Sequence, residues 1–189
     1  MKIYFHLNIK GFSNCYIVVN EFLKEAIIID PGQITEEMIN RIEKDSYTLV
    51  AVFITHNHAS HVNGLKTLRK IYVPEIYAAD WEIAGNATHV ITGDGSICIA
   101  GFTIKYAAIP GHTDDSMVYK IGNVLFTGDT ISAGKIGPTN SNYSNIILRT
   151  HIERKIFSEC DATVIMPGHG PPTSVGAEKL FNIGMTQQK

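Results

Sequence analysis

The sequence predicts an α+β protein built as a four-layer αββα sandwich. Two observations carry that prediction. Strand-like runs come in two successive batches, and each batch is accompanied by amphipathic helix-like runs. A third observation sets the size: 189 residues with no linker, low-complexity tract or internal repeat fit one domain over 1–189.

The first batch opens with strand-like runs at Ile3–Leu7, Cys15–Val19 and Ala26–Asp30. Pro31-Gly32 then breaks the chain. A helix is expected from about Thr35, a good N-cap with Glu37 in the first turn, and Met38, Ile39 and Ile42 share one face of it. Leu49–Thr55 (LVAVFIT) reads as a buried strand, and a helix over about Val62–Ile71 follows. In the second batch Ile97–Ala100, Phe102–Ile109, Met117–Ile121 and Val124–Thr127 read as an antiparallel meander, turning at Ala100-Gly101 and Gly122-Asn123. A helix at about Tyr143–Phe157 carries Ile146, Ile147, Ile152 and Ile156, and a strand at Ala162–Met166 and a helix from about Ser174 close the chain.

Composition narrows the function classes. Hydrophobic residues make up 44% and charged residues 18%, which suits a globular chain with a core large enough to bury polar machinery. A net charge of −2 gives no electrostatic reason to expect nucleic acid or an anionic membrane as partner, and a small-molecule substrate is expected instead. No apolar run approaches the roughly 20 residues of a membrane span. The opening MKIYFHLNIKG alternates like a strand rather than reading as a secretory signal, so the expected location is the cytoplasm. Cys15, Cys98 and Cys160 are far apart, form no CxxC pair and are expected to be buried thiols.

Four expected strands end in loops rich in metal-ligating side chains. Leu49–Thr55 runs into His56-Asn57-His58-Ala59-Ser60-His61, and Phe102–Ile109 into Pro110-Gly111-His112. Val124–Thr127 runs into Gly128-Asp129, and Ala162–Met166 into Pro167-Gly168-His169. Loops held at strand ends by a rigid scaffold are where ligand-binding groups are usually displayed. Neutral imidazole offers a lone pair at neutral pH, and a carboxylate adds charge and can bridge two cations. His56 and His58 can point to one ion, while His61, one helical turn further, can reach a neighbouring one. His6, His89 and His151 lack this placement and are expected to be structural or surface residues. Thr55, Thr113 and Asp114 stand where they can orient the imidazoles, although such residues more often serve only local turns and caps.

The stretch Thr55-His56-Asn57-His58-Ala59-Ser60-His61-Val62-Asn63-Gly64 resembles the THxHxDHxxG signature of the metallo-β-lactamase superfamily. The resemblance runs over nearly the whole chain and is nearest to the glyoxalase II-like branch. It is carried also by Phe12–Tyr16, Ile29-Asp30-Pro31-Gly32, Pro110–Thr113, Phe126–Thr130 and Met166–Thr173, with Glu178 and Asn182 in the closing helix. It implies the metallo-β-lactamase fold, with His56, His58 and His112 as ligands of a first metal, Asp129 as the bridging carboxylate, and His61 and His169 as ligands of a second. It implies zinc, as one or two ions, with iron or manganese as alternatives. The implied activity is cleavage of a thioester or ester by metal-activated water, since a bound cation lowers the pKa of water from about 15.7 toward 7. His56, His58 and Asp129 carry the catalytic role in that reading.

Three departures qualify the resemblance. Ser60 stands where the family has an Asp that binds the second metal, and a hydroxyl is a poorer ligand than a carboxylate. Gly137-Pro138-Thr139-Asn140 stands where related hydrolases show Gly-Arg and then an acidic residue. Only 20 residues follow His169, too few for the helical region with which glyoxalase II holds glutathione. Two alternatives stay open: a mononuclear iron enzyme similar to persulfide dioxygenases, using two histidines and a carboxylate, and a metal-binding protein with weak catalysis. The Gly-, Ser- and Asn-rich segment Ser132–Tyr143 is expected to line the cleft.

Overall fold

The computed structural model describes residues 1–186. Two six-stranded sheets stack face to face. The first runs in order β1 (Lys2–Asn8), β2 (Ser13–Asn20), β3 (Glu25–Ile29), β4 (Thr48–Phe53), β5 (Glu75–Ala78) and β6 (Thr88–Val90). The second holds the meander β7 (Asp94–Ile99), β8 (Phe102–Ala108), β9 (Met117–Ile121) and β10 (Val124–Gly128), continued by β13 (Val164–Pro167) and β14 (Thr173–Ser174). A separate hairpin, β11 (Ile131–Ser132) with β12 (Lys135–Ile136), lies between them in sequence.

Period-two alternation divides the side chains into layers. Tyr16, Val18, Ile27, Ile29 and Phe53 of the first sheet meet Ile104, Tyr119, Ile121 and Phe126 of the second in the central layer. The intervening residues Ile17, Val19, Ile28 and Val52 face outward. There they are covered by Met38 and Ile42 of α1 (Glu36–Lys44) and by the short helices α2 (Ala59–Val62) and α3 (Leu65–Leu68). On the far side, α4 (Asn142–His151) widens into a π-type turn at Ile152–Ile156 and packs Leu148, Ile152 and Ile156 on Val118, Leu125 and Ile165. Two further helices, α5 (Val175–Phe181) and α6 (Ile183–Thr186), complete that layer. The expected α+β sandwich is what the chain forms. Truncating a seam residue such as Phe53 or Phe126 to alanine would cost about 3–5 kcal/mol.

The predicted N-cap holds: the Thr35 hydroxyl accepts from Met38 N, with Glu36 and Glu37 in the first turn. The helix expected at Val62–Ile71 is different. It begins at Ala59 and is interrupted at Asn63-Gly64. At Gly64 the chain presses against the loop after β3: Gly64 N donates to Pro31 O at 2.8 Å, and a Cβ there would lie 2.3 Å from that oxygen. His61 therefore rides on a helical turn of its own. Two of the three cysteines are also corrected, since Cys15 is buried but Cys98 and Cys160 are exposed. Cys98 lies on edge strand β7, on the side away from Ile97 and Ile99, which pack into the central layer. Cys160 sits in the turn that caps Thr163 N. No helix among the described residues is long and apolar enough to cross a membrane.

Candidate metal centre

The polar residues singled out in the sequence gather at one end of the sandwich. β3 and β4 run parallel, β10 and β13 run parallel, and β8 shares their sense with β10 because both are antiparallel to β9. The C-terminal ends of β8, β10 and β13 therefore present His112, Asp129 and His169 on one side. From the first sheet, the end of β4 presents His56 and His58, and α2 presents His61. The two sheets are tied together here. Asn14 N donates to Gly168 O at 2.7 Å, and Met117 N to Thr55 O at 2.8 Å. The Asn14 amide donates to Pro167 O and Gly170 O at 2.9 and 2.7 Å, and the Tyr16 hydroxyl to Pro167 O at 2.7 Å.

Two groups of ligand atoms result. His56, His58, His112 and Asp129 form one, and His61, Asp129 and His169 the other; within each, all ligand atoms lie within 4.8 Å of one another. His58 Nδ1 is 2.9 Å from His56 Nε2 and 3.2 Å from His112 Nε2. Asp129 Oδ2 stands 3.7 Å from both of those Nε2 atoms and 3.6 Å from His169 Nε2, while Oδ1 is 3.4 Å from His61 Nε2. Asp129 thus stands between the groups. Close approach at this point requires glycine at 168, where a Cβ would fall 2.5 Å from Asp129 Oδ1 and 2.6 Å from His61 Cε1.

The outer nitrogens fix which way each ring presents its lone pair. Asp30, buried and with φ of 53°, is the anchor. Its Oδ1 accepts from Thr55 N at 2.8 Å, and its Oδ2 accepts from the Thr55 hydroxyl at 2.7 Å. With its own proton committed to Asp30, Thr55 Oγ1 accepts from His56 Nδ1 at 3.0 Å. His61 Nδ1 donates to Asp30 Oδ2 at 3.1 Å. His112 Nδ1 donates to Pro138 O at 2.8 Å, and His169 Nδ1 to Phe12 O at 2.9 Å. Each of these four rings turns Nε2 toward Asp129.

Burial, and then the neighbouring His61, push the His56 pKa down to about 2. Burial followed by His112 also lowers His58. Both rings are therefore neutral near pH 7, with lone pairs available. His61 goes the other way: burial pulls it down, but Asp30 and Asp129 outweigh that and raise it to about 10. Burial opposes ionisation of Asp129, yet His61, His169 and His56 hold it near 2. The field that keeps a proton on His61 is a field that would attract a cation. At 3.4 Å the contact between His61 Nε2 and Asp129 Oδ1 is electrostatic rather than a hydrogen bond, and both buried atoms lack a hydrogen-bond partner.

Crowded imidazole lone pairs, a carboxylate among them and two orphaned buried atoms fit a metal ion. A tetrahedral site with metal–nitrogen bonds of about 2.0–2.1 Å separates its ligands by about 3.3–3.4 Å. The separations of 2.9, 3.2 and 3.7 Å around His56, His58, His112 and Asp129 bracket that value.

The six predicted residues all reach the centre, whereas His6, His89 and His151 do not join it. Of the three residues considered for orienting the rings, only Thr55 does so. Thr113 Oγ1 pairs with Ser116 Oγ at 2.6 Å, and Asp114 is exposed. Its neighbour Asp115 instead accepts from Asn57 N at 2.7 Å and braces the His56–His58 segment. Asp30 and the carbonyls of Phe12 and Pro138 were not foreseen as partners of the imidazoles. Asp30 carried a signal, since a buried-looking Ile-rich strand ending in Asp-Pro-Gly leaves a carboxylate in need of partners. The carbonyls carried none. Ser60 is half-buried on α2, and its side chain makes no hydrogen bond among the described residues. The second group is left with two imidazoles and one carboxylate.

A sandwich of two sheets with His/Asp clusters at the strand ends defines a class of metal-dependent proteins. The chain belongs to the metallo-β-lactamase superfamily, whose sequence profile matches residues 9–177. It is 28% identical over 193 residues to the probable metallo-hydrolase YqgX of Bacillus subtilis, covering 90% of each chain. It is 30% identical over 161 residues to the probable polyketide biosynthesis zinc-dependent hydrolase BaeB of Bacillus velezensis, covering 82% of this chain and 72% of that one. The crystal structure of the BLEG-1 B3 metallo-β-lactamase matches with a TM-score of 0.85 at 27% identity, covering 98% of this chain and all (100%) of that one. The metallo-hydrolases among these relatives support hydrolysis as the general class of activity.

Proposed function

We propose that this chain is a glyoxalase II-like hydrolase that cleaves a thioester or ester of a small molecule. The observation that carries the reading is the convergence of five imidazoles on Asp129 with buried His61 Nε2 and Asp129 Oδ1 left unpaired. His56, His58, His112 and Asp129 would hold one ion, and His61, His169 and Asp129 a second. Zinc suits the nitrogen-rich first group. A divalent cation bound there polarises a carbonyl and acidifies water. The remaining work falls to the chain. Asp129, the only carboxylate in either group, offsets the cation's charge and can orient water through Oδ2. Asp30 and Thr55 keep His56 and His61 from turning, and the carbonyls of Pro138 and Phe12 do the same for His112 and His169. The β11–β12 hairpin and Pro138 wall a cleft of ≈ 250 Å³ beside Asp129 and His169, where a small substrate can lie against the ligand clusters.

Ser60 makes the two groups unequal: the first offers four ligand side chains, the second only three, one of them shared. The first ion is accordingly held tightly and the second weakly. The test is a panel of thioesters and esters assayed with metal quantified in the same sample. Turnover that scales with zinc content at about one ion per chain is expected. No turnover of any thioester or ester at full metal loading refutes the reading, and iron content with oxygen uptake on a persulfide would replace it with an oxygenase.

A further inference from the structure

Of the five imidazoles that meet at Asp129, four are fixed through the ring nitrogen that points away from it. His58 is held differently. Its Nδ1 faces His56 Nε2 and His112 Nε2, and its outer Nε2 takes no hydrogen bond among the described residues. It is also the one exposed ring of the five. A ligand that is free to turn must be ordered at the moment it binds a cation, and that ordering weakens binding. Whatever keeps His58 in place therefore acts through its backbone.

The residue just before His58 is gripped from two directions. Asn57 N donates to Asp115 Oδ2 at 2.7 Å, and the Asn57 side-chain amide donates to Asp80 Oδ2 at 2.8 Å. Asp115 comes from the β8–β9 loop of the second sheet and Asp80 from beyond the end of β5 in the first, and both are half-buried. Asp80 is itself fixed, because its Oδ1 caps the short turn Trp81–Ile83 by accepting from Glu82 N at 2.8 Å. On the other side of His56, Met117 N donates to Thr55 O at 2.8 Å. The stretch 115–117 thus holds the chain both before and after His56. Main-chain pairing makes the first contact, and the Asp115 carboxylate makes the second. A hydrogen bond to an ionised acceptor is about twice as strong as one between neutral groups.

We propose that Asp115 is a positioning residue for His58, acting through the Asn57 peptide, with Asp80 locking the Asn57 side chain as the second point of the clamp. This rests on the metal-binding part of the reading above and is independent of the substrate. With its ring unanchored, His58 keeps its direction only as long as the peptide before it does. Without the clamp the first group retains His56, His112 and Asp129 in place, and its fourth position becomes exchangeable with water. His58 is then the ligand whose order sets the affinity of the first group, and a residue of the opposite sheet supplies that order.

The metal-free protein is titrated with cobalt(II), whose visible absorption is intense in a four-coordinate site and weak when water enters. Asp115→Ala is expected to bind the first equivalent about 10–100-fold more weakly and with a weaker visible band. Asp115→Asn, which keeps an acceptor oxygen for Asn57 N, should stay within about threefold of wild type, and Asn57→Ala, which cuts only the tie to Asp80, should lose about two- to fivefold. Asp114→Ala removes a neighbouring charge that is exposed and should change affinity by less than about twofold. Adding Asp115→Ala to His58→Ala should cost nothing further, since the positioned ring is already gone. The clamp is overturned by wild-type affinity and spectrum in Asp115→Ala. It is equally overturned by full additivity with His58→Ala, or by Asp114→Ala and Asp115→Asn losing as much as Asp115→Ala, which would make the effect one of charge alone. If wild type takes up neither cobalt nor zinc, the metal reading falls and the clamp with it; if wild type binds and the variants match it, only the clamp falls.

Discussion

Replacing Asp30 should damage both ligand groups at once, because one carboxylate anchors a histidine in each. Asp30→Ala removes the acceptor for Thr55 N, the Thr55 hydroxyl and His61 Nδ1. Hydrogen bonds to a charged acceptor contribute about 1.5–3 kcal/mol each, so three buried donors left unpaired put the loss at about 4.5–9 kcal/mol. Alanine at the positive φ of 53° adds about 1 kcal/mol of strain, which Asn at this position largely avoids. For a chain of this size each kcal/mol lowers Tm by about 2–4 °C, so Asp30→Ala should melt at least about 10 °C below wild type. Asp30→Asn, of the same shape, keeps one acceptor oxygen and should lose roughly half as much stability. Both variants should bind the metal about 10–100-fold more weakly, as expected when the partner of a ligating imidazole is removed. Thermal melts with and without chelator, together with metal titration, measure the two effects separately. An Asp30→Ala protein that melts within about 2 °C of wild type and keeps its metal affinity would mean the Thr55–Asp30–His61 bridge orients nothing.

Two further variants probe the asymmetry and the cleft. Ser60→Asp restores a carboxylate beside His61 and should raise metal content from about one ion per chain toward two; unchanged stoichiometry would show that Ser60 does not limit the second site. Glu178→Ala strands Gly134 N, the Thr173 hydroxyl and the Asn182 amide. It should cost about 3–5 kcal/mol and raise KM more than it lowers kcat; a normal KM in the folded variant would detach the hairpin from substrate binding.

Much of this structure could be read from the sequence, and for identifiable reasons. Long apolar strands such as LVAVFIT are buried on both faces and leave little ambiguity, and β4 lies where that run ends in His56. The six ligand candidates were visible because each follows a strand end, where the side chain is committed by the scaffold. Residues 72–96 were not legible. β5 has only four residues, Glu75–Ala78, and β6 is a three-residue edge with two of its side chains exposed, so neither builds a period long enough to recognise. The β11–β12 hairpin escaped for the same reason, at two residues per strand. The break in the helix at Gly64 depends on contact with Pro31, more than thirty positions away in the chain, and no local pattern announces it. Partners such as the carbonyls of Phe12 and Pro138 are backbone atoms, available at any residue, and only the folded arrangement selects them.

The bonds from Asn14 and Tyr16 of β2 to the Pro167–Gly170 loop give the centre a mechanical meaning. His61 belongs to the first sheet's side and His169 to the second's, so the second group straddles the seam between the halves. Any breathing motion that parts the sheets at this end must pull those two ligands away from each other. On the two-ion reading, ion occupancy and closure of the seam would be one equilibrium, and a cation there would stabilise the closed sandwich by an amount that grows with the logarithm of its concentration above its dissociation constant. With Ser60 in place of a carboxylate at that end, the second group would then be a clasp that fastens only when metal is plentiful.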